Sequence, residues 1–284
     1  MIKMAYAKKY AIAHINVNNL EWAKAVLEVA QESYTPVILG VSTSAGKYMG
    51  GLKVVSGMVQ LLLSSLKITV PVSLHLDHGD YLSVIEAMNV GFTSVMFDGS
   101  KLPFAENVQK TNKICELASK KKISVEAEVG SIGGEEDGHM DAGELADLSE
   151  AKTISKLPIF ALAAGIGNVH GVYPKNWKGL NLLHLQKISE AIRKPIVLHG
   201  GSGIPNHQVK KAVSYGVAKV NVNTDLQLVF AKALREYFVK KSDLSIAKKG
   251  YDPRKIITVG ITAMKRKIIE IFELLGCLGQ ARKN

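Results

Sequence analysis

The chain has 284 residues, of which 47% are apolar and 21% charged, with two cysteines and a formal net charge of +11. That length suits one α/β barrel with a substantial core, and Cys115 and Cys277, alone in helix-like segments, exclude both a disulfide framework and a cysteine-type zinc site. No stretch reaches the ~18 uninterrupted apolar residues of a membrane span and the N-terminus has no apolar leader, so a reducing cytoplasm fits.

Short β-rich apolar runs alternate with longer helical ones along the chain, the signature of a parallel α/β fold. Tyr10–Val17 is the first expected strand and Leu20–Ser33 the first helix. Strands follow at Pro36–Ser42, Val70–Asp77, Ser94–Phe97, Ser124–Val129, Ile159–Ala164, Pro195–His199 and Lys219–Val222. Between and after them, helices are expected at Val54–Leu66, Leu82–Val90, Ala105–Lys121, Ala151–Lys156, Leu183–Arg193, Asn206–Tyr215 and Leu226–Lys240. Eight such units predict a closed (β/α)8 TIM barrel, residues 1–284 forming one domain. An additional amphipathic helix, Ile256–Leu275, belongs to a C-terminal extension over 252–284 that packs on the barrel or on a neighbouring subunit. The segment 130–150 is polar, acidic and glycine-rich, with no apolar periodicity; after a strand end it reads as a mobile active-site lid.

Lysines such as Lys120–Lys122, Lys240–Lys241 and Lys248–Lys249 recur singly or in short runs without interleaved aromatics. This distribution describes solvated helix faces and argues against a nucleic-acid partner. A positive field also attracts a small phosphorylated substrate.

Barrel enzymes carry their chemistry at the C-terminal ends of the strands. There the sequence supplies Asn16, Ser42, Asp77, His78, Asp98, Glu128, His170, His199, Asn221 and Asn223. His78, His170 and His199 give three protein ligands and leave an open position, the pattern of a catalytic zinc that acts as Lewis acid or activates water. Asp77 precedes His78, so pleat alternation turns its carboxylate toward the barrel axis, placed for proton transfer or as a partner that holds a histidine. Asp98 and Glu128 either complete a second cation site or are ordinary rim carboxylates. His14 and His75 lie within strands, His139 in the lid, and His184 and His207 in helices; all five take the structural reading. The glycines of His199-Gly-Gly-Ser-Gly-Ile-Pro205 let backbone N–H groups approach a phosphate, beside Asn221-Val-Asn-Thr-Asp225 at the last strand. Lys219 begins that strand, the wrong end for a Schiff base, which leaves metal-assisted chemistry at the carbonyl of a sugar phosphate.

Nine segments in order resemble a class II (metal-dependent) ketose-bisphosphate aldolase: Asn16-Val-Asn-Asn-Leu-Glu, Pro36-Val-Ile-Leu-Gly-Val-Ser, His75-Leu-Asp-His-Gly, Val125-Glu-Ala-Glu-Val-Gly, Gly133-Gly-Glu-Glu-Asp, Gly167-Asn-Val-His-Gly, His199-Gly-Gly-Ser-Gly-Ile, Asn221-Val-Asn-Thr and Tyr251-Asp-Pro-Arg. The resemblance implies reversible cleavage of fructose 1,6-bisphosphate to dihydroxyacetone phosphate and glyceraldehyde 3-phosphate. Tagatose 1,6-bisphosphate, epimeric at C4, is the alternative substrate. It implies Zn2+ on His78, His170 and His199, a second divalent position at Asp98 and Glu128, and Na+ or K+ near the phosphate. Asp77 would exchange the proton of the C4 oxygen, and Glu136 would remove the C1 proton of dihydroxyacetone phosphate. Gly171, Gly200, Gly201, Ser202, Asn221, Val222, Asn223 and Thr224 would hold that substrate, with Asn16 and Ser42 lining the pocket. Arg254 would reach the distal phosphate from a neighbouring subunit of a homodimer or homotetramer. Two departures stand out: a shorter N-terminus, with a reduced helix at the barrel bottom expected, and Asp80 where a serine is more familiar. The different-class rival is a protein that uses its basic surface to bind RNA or a host ligand.

Overall fold

The computed structural model describes residues 1–136 and 139–282, with positions 135, 136 and 139 described by their backbone alone. In chain order its elements are α1 (Ile2–Lys8), β1 (Ile12–Asn16), α2 (Leu20–Glu32), β2 (Val37–Ser42), α3 (Thr43–Tyr48), α4 (Leu52–Ser65), β3 (Val72–Gly79), α5 (Tyr81–Val90), β4 (Ser94–Phe97), α6 (Phe104–Lys121) and β5 (Ser124–Val129). There follow β6 (Gly133–Glu136), β7 (His139–Asp141), α7 (Leu148–Ile154), β8 (Ala161–Ala164), β9 (Val169–His170), α8 (Leu182–Ile192), β10 (Ile196–Leu198), α9 (Asn206–Ser214), β11 (Val217–Val222), α10 (Thr224–Val239) and α11 (Pro253–Leu275).

Eight parallel strands close in the order β1-β11-β10-β8-β5-β4-β3-β2, a TIM barrel. The strands form because β-branched and aliphatic residues alternate sides of the pleat and both faces are covered, one by the helices and one by the barrel interior. Short polar side chains start the helices: Asn19, Asp80 and Asn181 each accept a backbone N–H of the first turn of α2, α5 and α8. Such caps stop each strand-to-helix loop within a few residues, which holds the strand ends in one rim.

The barrel interior is divided. One part is apolar, built from Met96, Ala161, Ala163 and Val197. The other is polar and fully enclosed: His14, His75, Glu126 and Lys219 are each no more than 3% exposed. Gly40 makes this possible, since a Cβ there would lie 1.5 Å from Nε2 of His14.

The structure adds detail to the expected elements at three places. An N-terminal helix is present as α1, with Ile2 and Ala5 buried, and Met1, Ile2 and Phe160 close a 90 Å³ cavity at the barrel bottom. The segment after β5 carries a β6–β7 hairpin, and β6 pairs in parallel with β9. Its last residues already belong to α7, started by Asp147, which accepts the N–H groups of Ser149 and Glu150. Finally, α3 intervenes between β2 and α4, capped by Ser42.

The C-terminal helix α11 packs Met264, Ile268 and Phe272 into the core beside α10 and α2. It starts at Asp252-Pro253, an N-cap followed by proline at the first helical position. Both cysteines are buried, and burial pushes the Cys115 thiol up to about 11 and the Cys277 thiol up to about 12. At pH 8 both therefore stay protonated and unreactive. A thiol-specific reagent is expected to label neither in the folded protein and both in denaturant, as counted by mass spectrometry; rapid labelling of the native chain would contradict their enclosure.

Candidate active site

The strand ends converge on one mouth. A cavity of about 660 Å³ is lined by Asn16, Ser42, Asp77, His170, Gly171, Gly200, Ser202, Asn221, Asn223 and Thr224, among others. A second, of about 330 Å³, shares His170 and Ser44 with it and adds Lys47, His78, Asp80, Asp98, Lys101 and Glu128.

Three imidazoles meet between the two. One ring nitrogen each from His78, His170 and His199 lies within 4.8 Å of the others. Nε2 of His78 stands 3.0 Å from Nδ1 of His199. The far nitrogens of these two rings are already committed: His78 donates Nδ1–H to Asp98 at 2.9 Å, and His199 donates Nε2–H to Glu126 at 2.9 Å. With those protons placed outward, the inward nitrogens offer lone pairs toward one point. This donor set, two of its rings oriented by carboxylates, fits a divalent zinc-like ion.

Electrostatics agrees with that fit. Burial, then the neighbouring His78 and His199, lowers His170 to about 3, so its ring is neutral at physiological pH. Burial, then His78, also pulls His199 well below its ordinary range. Burial opposes charge on His78, yet the Asp98 hydrogen bond and the carboxylates of Asp77 and Glu128 outweigh it and raise its pKa well above the usual value. The carboxylates that favour charge on His78 would equally favour a cation at that point.

Asp98 is a partner of His78 and also accepts from Ser100, bonds that outweigh its burial and hold its carboxyl well below the usual range. Glu128 is enclosed; burial and then Asp98 push its carboxyl well above the usual value. Its Oε2 finds no hydrogen-bond partner among the described residues. His78, Asp98 and Glu128 also place one ligand atom each within 4.8 Å, a second candidate cation position beside the first.

Asp77 points into the barrel axis at 2% exposure. Simple pleat alternation does not separate it from His78, because β3 breaks its register after Leu76 and His78 takes φ +46°. That left-handed residue swings the imidazole to the rim while Asp77 stays inside. The Asp77 carboxylate accepts from Asn16 at 3.0 Å and Asn221 at 3.1 Å, with His14 at 3.6 Å. Burial alone would raise its pKa, but His14, His78, His199 and Lys219 outweigh it and lower it well below the carboxylate range.

At the far side of the larger cavity, Ser202 Oγ accepts the N–H groups of Asn223 and Asp225 and ties the glycine loop to the first turn of α10. Gly200 takes φ +63°, and a Cβ would lie 2.2 Å from the carbonyl oxygen of Val169, so only glycine fits beside β9. Gly201 and Val222 stand behind this wall: Gly201 donates its N–H to the carbonyl of Asn221, and Val222 is a core side chain. Arg254 lies outside the cavity, 88% exposed and bidentate to Asp252. The Glu136 side chain lies outside the described residues; its backbone ends β6. Two residues of this site escape a reading of strand ends alone, Glu126 and Lys219. Their signal is period-two spacing, since Glu126 sits two before Glu128 and Lys219 two before Asn221.

Fold and site define a barrel enzyme with a histidine cluster suited to a catalytic metal, beside a polar pocket at a helix N-terminus. The family described as fructose-bisphosphate aldolase class-II matches residues 1–280. Among the most similar relatives is a fructose-bisphosphate aldolase of Mycoplasma genitalium, 52% identical over 281 residues that cover 99% of this chain and 98% of that protein. Another, of Streptococcus pneumoniae, is 48% identical over 285 residues, 99% of this chain and 97% of its own length. Among solved structures, the YdjI aldolase from Escherichia coli K12 superposes with a TM-score of 0.83 at 29% identity, covering 99% of this chain and 97% of that one. The chain belongs to the class II fructose-bisphosphate aldolase family, a metal-dependent family of lyases that cleave carbon–carbon bonds. Among the described residues no helix is long and apolar enough to cross a membrane.

Proposed function

We propose that the chain cleaves fructose 1,6-bisphosphate reversibly, as its family does, with Zn2+ held by His78, His170 and His199. The observation that carries this reading is the convergence of three imidazole nitrogens beside an enclosed carboxylate that none of them needs. A divalent ion at that point supplies Lewis-acid polarisation of the substrate carbonyl. The remaining work belongs to the side chains. Asp77, kept ionised and held by two amide donors, takes the C4 hydroxyl proton as the C3–C4 bond breaks and returns it in condensation. Glu136 exchanges the proton at C1 of dihydroxyacetone phosphate. The N–H groups and hydroxyls from Gly171, Gly200, Ser202, Asn223 and Thr224 receive that triose phosphate, Gly201 and Val222 acting through the backbone behind them. Asn16 and Ser42 line the same cavity.

Asp98 and Glu128 contribute to a second divalent position, and Na+ or K+ sits near the phosphate. Arg254, solvent-directed in one chain, serves the distal phosphate of a neighbouring subunit in a homodimer or homotetramer. The enzyme works in the cytoplasm. Substrates differing only at C4 separate fructose from tagatose; the relatives named above favour fructose. Neither they nor the site favour a dedicated RNA- or host-binding protein.

The test is side-by-side cleavage of fructose and tagatose bisphosphates, with and without chelator. Fructose cleavage that chelator abolishes is expected; a large preference for tagatose reverses the substrate. Glu136→Gln is expected to slow solvent exchange of the C1 proton of dihydroxyacetone phosphate by about 100-fold or more, with metal content unchanged. Normal exchange in that variant would move the base elsewhere.

A further inference from the structure

Beneath the imidazole cluster lies a charged layer that no step above uses. Glu126 is 3% exposed and Lys219 1%, on strands β5 and β11, each two residues below a rim residue. Lys219 Nζ donates to Glu126 Oε2 at 2.7 Å and to His75 Nε2 at 3.2 Å. His75 in turn is tied through Nδ1 to Ser94 at 2.8 Å. The other oxygen of Glu126 accepts Nε2–H of His199 at 2.9 Å.

We propose that Glu126 and Lys219 are positioning residues that together fix the tautomer of His199, and through it the affinity of the site for its metal. The inference rests on His199 being a metal ligand. A carboxylate paired with Lys219 only accepts hydrogen bonds, so His199 must present an N–H to Glu126 and leave Nδ1 as the lone pair, which faces His78 and the Asn221 amide at 3.1 Å. A carboxylate enclosed without a counter-ion would be costly, and Lys219 supplies that ion from below. Lys219 cannot serve as a covalent amine toward substrate. Its nitrogen is held by two partners and borders the 90 Å³ cavity at the barrel bottom, the opposite end from the substrate cavity.

The arrangement makes a prediction of sign. In Glu126→Gln the Lys219 ammonium, which can only donate, claims the amide oxygen and turns the NH2 toward His199. His199 then accepts through Nε2 and carries its proton on Nδ1, where the ligand lone pair should be. Zn2+ should bind about 10–100-fold more weakly, the usual range for lost outer partners of a ligand histidine. Adding Lys219→Met frees the amide oxygen to face His199. The Glu126→Gln/Lys219→Met double variant should therefore bind Zn2+ about tenfold more tightly than the single one.

Zn2+ affinity is read by chelator competition on the purified chain, with denaturant midpoints alongside, and nitrogen-15 NMR reads the His199 tautomer. In the wild-type protein His199 should carry its proton on Nε2, a measurement that needs no variant to fold. Protonation on Nδ1 in the wild type, an unchanged affinity in Glu126→Gln, or no recovery in the double variant each overturns the proposal. Absence of Zn2+ binding by the wild type would instead overturn the metal reading itself.

Discussion

Asp77→Ala is expected to lower fructose 1,6-bisphosphate cleavage by about 100- to 10,000-fold, the range of a lost general acid–base group, and to keep its metal. The two halves of this expectation come from different contacts, although Asn221 touches both Asp77 and Nδ1 of His199 at 3.1 Å. Asp77 is hydrogen-bonded to Asn16 and Asn221, whereas the outward nitrogens of His78 and His199 are held by Asp98 and Glu126. Removing the carboxylate leaves the buried Asn16 amide without its acceptor and Asn221 with His199 alone, a cost of roughly 1–3 kcal/mol for an orphaned donor that lowers the denaturation midpoint. It removes neither of the carboxylates, Asp98 and Glu126, that orient His78 and His199. Metal content after gel filtration, triose phosphate formation and C1 exchange of dihydroxyacetone phosphate distinguish the roles. Exchange should persist, since no C4 hydroxyl takes part in it. Metal lost in parallel with activity would make Asp77 a support of the histidines instead.

Chelation should abolish cleavage, and Zn2+ should restore it while raising thermal stability. The facing nitrogens of His78 and His199 stand 3.0 Å apart, where one ion would take both lone pairs. An ion that binds the folded site and not the unfolded chain stabilises by about 2.7 kcal/mol at a hundred times its dissociation constant. His170→Ala removes the one ligand delivered by β9, outside the barrel, and should weaken the ion while leaving the barrel strands intact. Melting curves across a Zn2+ titration and residual activity after dialysis provide the check. Full activity in protein stripped of divalent ions would remove the metal from the mechanism.

Much of the barrel was legible because its signals are local. Leu74, Leu76, Val95, Val125 and Val129 mark strands through side-chain periodicity, and Asn19, Asp80 and Asn181 mark helix starts through capping. The hairpin after β5 was not legible. Its β6 is ordered by pairing with Val169 and His170, which arrive more than thirty residues later, and glycine and glutamate lack strand propensity. Asp77 and His78 part as pleat alternation predicts, but the cause is different. A left-handed φ at His78 does it, a strain that tertiary packing imposes and propensity does not announce.

By itself, the sequence determined the parallel α/β class, the strand ends as the place of chemistry, and the residue types that chemistry requires. Those follow from periodicities of two and 3.6 and from glycine and proline at turns, which need no partner far along the chain. Only the tertiary structure decided which polar residues act as one unit. Closing the barrel brings Glu126 to Lys219, 93 positions away, and to His199, 73 positions away. In a strand with both faces buried, nothing local tells the interior face from the helix-covered one. The enclosed layer of His14, His75, Glu126 and Lys219 exists only once the eighth strand meets the first.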